Sequence, residues 1–434
     1  MIRKTGNSRS LSDVHAPKQD MPLTSMDPIK KQSRYLKTLF FLFFVALGTG
    51  SPYFGIFYKH VIVNADGTPA IGLIGLIFFV MPLVSLIANI PAGIVADKFH
   101  SGKHLITLLC FGVALFAFLI GLTGGDFARQ WGLGGKFIFI ITMLFFLNCC
   151  LLPLGPMVDA EALLFLNRHS HREWYGTYRL WGTYGWSVAT VLMGVLLFKF
   201  HSDSLIFYGT AVAFALLGLV SWSGIETRPA AAPIQIPWNH LKKDILFQKF
   251  LVFIFLNGML ANAAANYTSY FFDDVMKTPL EIGLIFSVWT LFEIPVMRFS
   301  RKLIGVFGNR SLIMLGLLFN GIRLLLYSSF TPETPYIWKL TVSLLQGPGF
   351  GLAHIGIIDF ADRQAHIDMR TTYMSIMNVA RMSLASALGG IIGSWLIKQW
   401  GSAFLMQFCG YGLIALIFFF AFLVGRRAGL KLSD

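Results

Sequence analysis

The sequence predicts an all-α membrane protein: twelve transmembrane helices in two pseudo-symmetric six-helix halves, with both termini cytoplasmic. Three observations predict it. The 434 residues are 55% hydrophobic and only 13% charged, with 42 phenylalanines and a mean hydropathy of +0.66. Apolar runs of roughly 20 residues, the length a bilayer requires, recur along the chain. Lysine and arginine are distributed unequally between alternate connections, as in proteins whose cytoplasmic loops are positive.

In chain order, residues 1–35 are polar and basic and read as a disordered cytoplasmic tail with no signal peptide. Apolar runs then place helices at 36–58, 70–96, 104–123, 137–166, 175–199 and 204–224. Residues 225–245 hold TRPAAAPIQIPWNHLKKD, whose prolines and lysines mark a cytoplasmic linker. Six more helices follow at 246–272, 279–299, 311–329, 335–362, 371–397 and 402–425, ahead of a cytoplasmic tail at 426–434. The halves are therefore 36–224 and 246–425. Of thirty-five lysines and arginines, twenty-five lie in the tails and even-numbered connections and seven in the odd-numbered ones. Three, Arg179, Arg323 and Arg381, are inside helices. An even helix count and the charge asymmetry both put the termini on one side, the cytoplasm.

An internal repeat supports two halves. Residues 74–83 read IGLIFFVMPL and residues 282–291 read IGLIFSVWTL, identical at seven of ten positions. Each copy leads to a basic loop ending KHLI or RSLI. The second and eighth helices are thus equivalent, and both cross in the same direction. Two such halves facing each other across a midplane polar site form a transporter architecture.

Several function classes are excluded. The net charge of +14 sits in short loops and does not form a nucleic-acid surface. Cys110, Cys149, Cys150 and Cys409 lie in apolar runs, without disulfide or metal-ligand spacing. No phosphate-binding loop and no nucleophile–base motif is present, so neither an ATP-driven pump nor an enzyme is expected, and no cofactor.

Polar residues inside apolar helices are expensive in a bilayer and mark function. The densest group lies in GPMVDAEALLFLNRHSHREWYGTYRLWGTYGW, residues 155–186. Asp159 and Arg179 occupy successive helices at comparable depth, either to bind substrate or as an ion pair fixing the hairpin. Arg179 and Trp186 are seven residues apart, sharing a face about 10 Å apart along the axis. Trp186 offers a stacking surface for a sugar or nucleobase ring, whereas Trp181 is assigned to packing. Glu161, two residues from Asp159, faces away. Asn262 and Asn266, one turn apart, are hydroxyl binders or helix–helix contacts. Glu293 is the proton-carrier candidate, with Arg323 as alternative salt-bridge partner. His354 is as compatible with packing as with proton chemistry. Asp359 and Asp362 sit at an inner helix end, Asp273 and Asp274 at an outer one.

With these residues in view, the chain past its tail resembles the major facilitator superfamily. Gly93, Asp97 and Lys98, followed by Gly102 and Lys103, are similar to its signature loop between helices two and three. The resemblance implies a conformational, not a substrate-binding, role for them. Tyr175 to Trp186, with Pro156 and Asp159, resembles the branch of lactose permease and other oligosaccharide– and nucleoside–proton symporters. That resemblance implies substrate binding by Asp159, Arg179 and Trp186, and proton coupling through Glu293, Arg323 and Arg381. Gln346 and Gly349 stand where the branch's permease has its helix-ten histidine and glutamate. The expected function is a proton-coupled symporter importing a small polar metabolite, a sugar or nucleoside, as a monomer in the inner or plasma membrane. Its partners are the substrate, the proton and the lipid bilayer. An exporter of the same fold and a non-transporting membrane sensor are the alternatives.

Overall fold

The computed structural model describes residues 26–99, 102–128, 130–169, 174–224, 244–364 and 370–425. Among the described residues, twelve helices are long and apolar enough to cross a membrane. They follow the expected order, and their irregularities have local causes. The first span breaks after Gly50 and resumes at Phe54, with Pro52 between. The fourth is two helices, Leu133–Leu151 and Leu154–Arg168, divided at Pro153, where one continuous helix was expected. The tenth is likewise Tyr336–Ser343 followed by Gln346–Gln364. In the ninth, Ser300–Tyr327, Gly308 takes φ 71°, so a short helix precedes the kink. The eleventh carries a π-helical segment, Val379–Leu384.

One boundary differs usefully. The first helix starts at Met26, ten residues inside the segment read as disordered tail. Pro28 suits a first helical turn. The Ser33 hydroxyl lies 2.6 Å from that of Tyr178, tying this extension to the fifth helix. Most of the linker and the C-terminal tail lie outside the described residues. So do the side chains of Gly93, Asp97 and Lys98, whose backbone belongs to the second helix, Ile71–Phe99.

Helix pairings repeat between the halves. The first packs on the fifth as the seventh on the eleventh, the third on the sixth as the ninth on the twelfth, and the second on the fourth as the eighth on the tenth. Between halves, the fifth meets the eighth and the second meets the eleventh. These two seams exchange under the same pseudo-twofold.

The repeat's shared glycine makes those seams possible. A Cβ on Gly75 would lie 2.1 Å from Ser394 Oγ, and one on Gly283 would lie 2.4 Å from the Thr190 carbonyl. Both glycines sit at the end of the bundle away from the termini. There the halves are tied by Lys59 to Asp273 at 2.7 Å and by His60 Nε2 to Asp273 at 3.0 Å. The seams extend inward to a Ser85–Ser383 hydroxyl pair at 2.7 Å and to Ser187, which donates to the Ser287 carbonyl at 3.4 Å. Nearer the termini, the described residues of the two halves share no hydrogen bond. Among the described residues, the side-chain ties between the halves are concentrated at the far end.

Candidate functional site

The charged hairpin assembles as its spacing suggested. Leu154–Arg168 brings in Asp159, and the fifth helix, Tyr175–Phe200, brings in Arg179. Arg179 Nη1 donates to Asp159 Oδ1 at 3.4 Å, and the Tyr175 hydroxyl donates to the same oxygen at 2.8 Å. The side chains are 49% and 37% exposed, so the pair is wet and weak. The guanidinium lies over the Phe44 ring, 5.2 Å from its centroid. That aromatic partner comes from the first helix, and no local sequence signal singles it out among 42 phenylalanines. Trp186 packs its backbone on Gly48 of the same helix and is half-buried. Trp181 is exposed and meets Tyr184 edge-on at 6.2 Å. Glu161 is buried and acts electrostatically on Tyr35.

Across the seam, Glu293 comes from the eighth helix, Pro279–Arg298. Arg179 is the cation that acts on it electrostatically. The alternative partner, Arg323, makes no ion pair with it among the described residues.

Arg323 instead lines a cavity of about 190 Å³ within the second half, together with Asn262, Trp289, Asn320, Gln346 and Arg381. It is 6% exposed. Its Nη2 reaches Asn320 Oδ1 at a long 3.5 Å, and its guanidinium lies 5.2 and 5.0 Å from the Trp289 and Tyr327 ring centroids. Nε and Nη1 have no hydrogen-bond partner among the described residues; nor do Trp289 Nε1 and Gln346 Oε1. A buried polar group left in this way costs about 1–3 kcal/mol, so the cluster is built for something other than stability.

The two asparagines separate. Asn262 Nδ2 donates to the Arg381 carbonyl at 2.8 Å, answering a backbone group in the π-helical segment. π-bulges often accompany functional sites. Asn266 faces a second chamber of about 600 Å³ between the halves, lined also by Ser85, Asn148, Asn378 and Ser383. Its Nδ2 has no partner among the described residues. Asn148 was not singled out by sequence; its Nδ2 donates to the Leu144 carbonyl at 2.8 Å and touches Met81 Sδ at 3.3 Å. Met81 and Trp289 occupy equivalent positions of the repeat, and each lines one of the two chambers. His354 stacks on Phe350 at 5.2 Å and leaves Nδ1 unpartnered. At Gly349 a Cβ would lie 2.9 Å from Asn320 Cγ, so a side chain there would displace the Asn320 amide. Asp359 is held by Arg363 Nε at 2.8 Å and Asn309 Nδ2 at 3.0 Å, an anchored helix end. Asp273 and Asp274 belong to the far-end closure.

Comparison with known proteins agrees with this architecture. Residues 34–408 match the MFS_1 like family. The chain is 26% identical over 372 residues to the maltose permease of Geobacillus stearothermophilus, covering 83% of this chain and 86% of that one. It is 20% identical over 391 residues to the probable 3-phenylpropionic acid transporter of Escherichia coli (strain K12), covering 89% and 94%. Among solved structures, a variant of the nucleoside transporter NupG superposes with a TM-score of 0.78 at 16% identity, over 91% of this chain and 100% of that one. At that identity the likeness speaks to fold alone.

Proposed function

The chain belongs to the MFS_1 like family and is a multi-pass membrane transporter, and on that premise we propose a proton-coupled symporter that imports a small polar metabolite by alternating access. A sugar or a nucleoside is the favoured substrate class. One observation carries the reading. The Asp159–Arg179 pair of the first half and Glu293 of the second sit on helices that pack at one seam, the fifth helix that carries Arg179 against the eighth that carries Glu293.

In this scheme substrate hydroxyls compete for the weak Asp159–Arg179 contact while the ring rests on the aromatic lining. Release of Asp159 changes the field at Glu293, where the proton is loaded and unloaded. Arg323 and Arg381 set the positive background of the second half. Gly93, Asp97 and Lys98 act in the conformational change, without touching substrate. The carrier works as a monomer in the inner or plasma membrane with both termini cytoplasmic, as the lysine and arginine distribution argues. The end tied by Lys59, His60 and Asp273 is then the outer one.

Counterflow in proteoliposomes, with a panel of sugars, nucleosides and an aryl carboxylate, tests the substrate class. The expected result is exchange of at least one sugar or nucleoside. No exchange with either class removes that assignment. Glu293→Gln is expected to abolish pH-driven accumulation yet retain equilibrium exchange. Full accumulation in that variant would assign the proton to another acid. Outward pumping of apolar compounds would mark an exporter.

A further inference from the structure

We infer that the cavity inside the second half is a subsite for a carboxylate carried by the transported molecule, with Arg323 as its principal ligand. The inference rests on the reading above of a transporter for a small polar metabolite and names one group that metabolite carries.

Three observations support it. First, Arg323 is 94% buried by its 6% exposure, yet two of its three guanidinium nitrogens have no acceptor. The third has only the 3.5 Å contact to Asn320. Its remaining neighbours are the π faces of Trp289 and Tyr327, which attract the cation but accept no strong hydrogen bond. Second, the unpartnered groups converge. Trp289 Nε1 is a further buried donor without an acceptor among the described residues on the wall of the same cavity, so three unpartnered donors stand against one unpartnered acceptor, Gln346 Oε1. An anion is the ligand that satisfies several N–H donors at once, and arginine–carboxylate contacts are among the stronger hydrogen bonds available. Third, the charges do not balance. Inside the helices, Arg179, Arg323 and Arg381 stand against Asp159 and Glu293, and two of the arginines, Arg323 and Arg381, line this cavity. Asp159 is committed to Arg179, and the cation acting on Glu293 is again Arg179. Arg323 and Arg381 are left without a carboxylate among the described residues. Protonation of Glu293 enlarges that surplus, so a proton-loaded carrier favours an anionic passenger.

The rest of the lining suggests what the carboxylate is attached to. Ala261, Ala265, Leu317 and Phe350 supply an apolar wall. Met382 borders both this cavity and the 600 Å³ chamber between the halves. Met382 is thus the wall that a ring attached to a carboxylate at Arg323 would have to displace to reach the larger chamber. A sugar acid and an aryl acid share this chemistry.

The test is direct binding to the purified full-length chain in lipid nanodiscs, using matched acid and neutral probes: glucuronate against glucose, and benzoate against benzyl alcohol. The expected result is that at least one acid binds 10-fold or more tighter than its neutral partner. The pair that shows it distinguishes a sugar acid from an aryl acid. Arg323→Gln should bring that ratio to near one, and Arg323→Lys, which keeps the charge, should retain part of it. Melting temperatures of both variants identify a folding defect, in which case Trp289→Phe, lacking the indole donor, should lower the ratio on its own. The inference is overturned if no acid is preferred, or if the preference survives in folded Arg323→Gln. Neutral sugar exchange without acid preference removes this inference and leaves the sugar or nucleoside reading. Acid preference without sugar or nucleoside exchange does the reverse.

Discussion

Gly75→Ala is the sharpest test of how the two halves close on each other. The substitution adds one methyl at a seam where the second and eleventh helices touch. The new Cβ would sit 2.1 Å from Ser394 Oγ and 2.4 Å from Ser394 Cβ, with the Tyr267 hydroxyl next at 3.4 Å. Ordinary contacts begin near the last of these distances, so the shortfall is about 1 Å. Rotating the serine moves its hydroxyl but not its Cβ, so the helices must part. Overpacking of this kind costs about 1–3 kcal/mol. It is imposed on the form closed at the far end, and it shifts the balance toward the alternate form by roughly 5- to 150-fold. Ser394→Gly removes both clashing atoms and should restore the balance in the double variant. Spin-label distances between Ser202 and Lys277, exposed at the far end of opposite halves, report the populations. An unchanged distance distribution in a folded Gly75→Ala protein would refute the reasoning. So would a failure of Ser394→Gly to rescue. Gly283→Ala is the control without rescue, because its neighbour at 2.4 Å is the backbone carbonyl of Thr190.

Three further outcomes follow from the same geometry. Arg179→Ala should change stability by less than about 1 kcal/mol, because its pair is half exposed, while counterflow falls at least about 10-fold, a loss near 1.4 kcal/mol; a large drop in melting temperature with exchange retained would make the pair a hairpin fastener. Lys59→Met removes the contacts to Asp273 and Asp274, so the same spin labels should show the far end opening more often; no shift would mean that the apolar seams alone hold it. Asn262→Ala should destabilise by about 1 kcal/mol, because it frees the Arg381 carbonyl, whereas Asn266→Ala, whose amide nitrogen has no partner, should leave the thermal melt in place; equal melting shifts would contradict the division.

The fold was legible because its determinants are local or repeated. Apolar run length is a property of contiguous residues, so the twelve spans were readable. The seven-of-ten repeat carried more than the helix equivalence. Its glycine is shared because the seams at Gly75 and Gly283 need the same missing side chain. The breaks were harder. Pro153 divides the fourth span, but Pro295 sits inside the eighth without ending it, since a membrane helix can recruit neighbours to satisfy the freed carbonyl. The π-helical segment at Val379–Leu384 has no proline or glycine to announce it. What stabilises it, the Asn262 side chain, is 119 residues away in sequence.

The same distinction separates the parts of the site. Asp159 and Arg179 lie on consecutive helices, so depth counted from a short loop suffices to pair them. Glu293 and Arg323 also lie on consecutive helices, yet the structure does not pair them. The kink at Gly308 shifts the entry of the ninth helix, and helical phase turns Arg323 toward Asn320, Trp289 and Tyr327. Counting charges along the chain offers Arg323 as one alternative partner of Glu293 and leaves a direct pair open; the packed structure lines a cavity of the second half with Arg323 and gives it no ion pair with Glu293 among the described residues. That change of partner alters the chemistry. If Glu293 and Arg323 formed an ion pair, the second half would be electrically neutral and its cavity would suit an uncharged hydroxyl-rich ligand. With the pair absent, the cavity holds guanidinium donors without acceptors, and the group that completes it must bring negative charge.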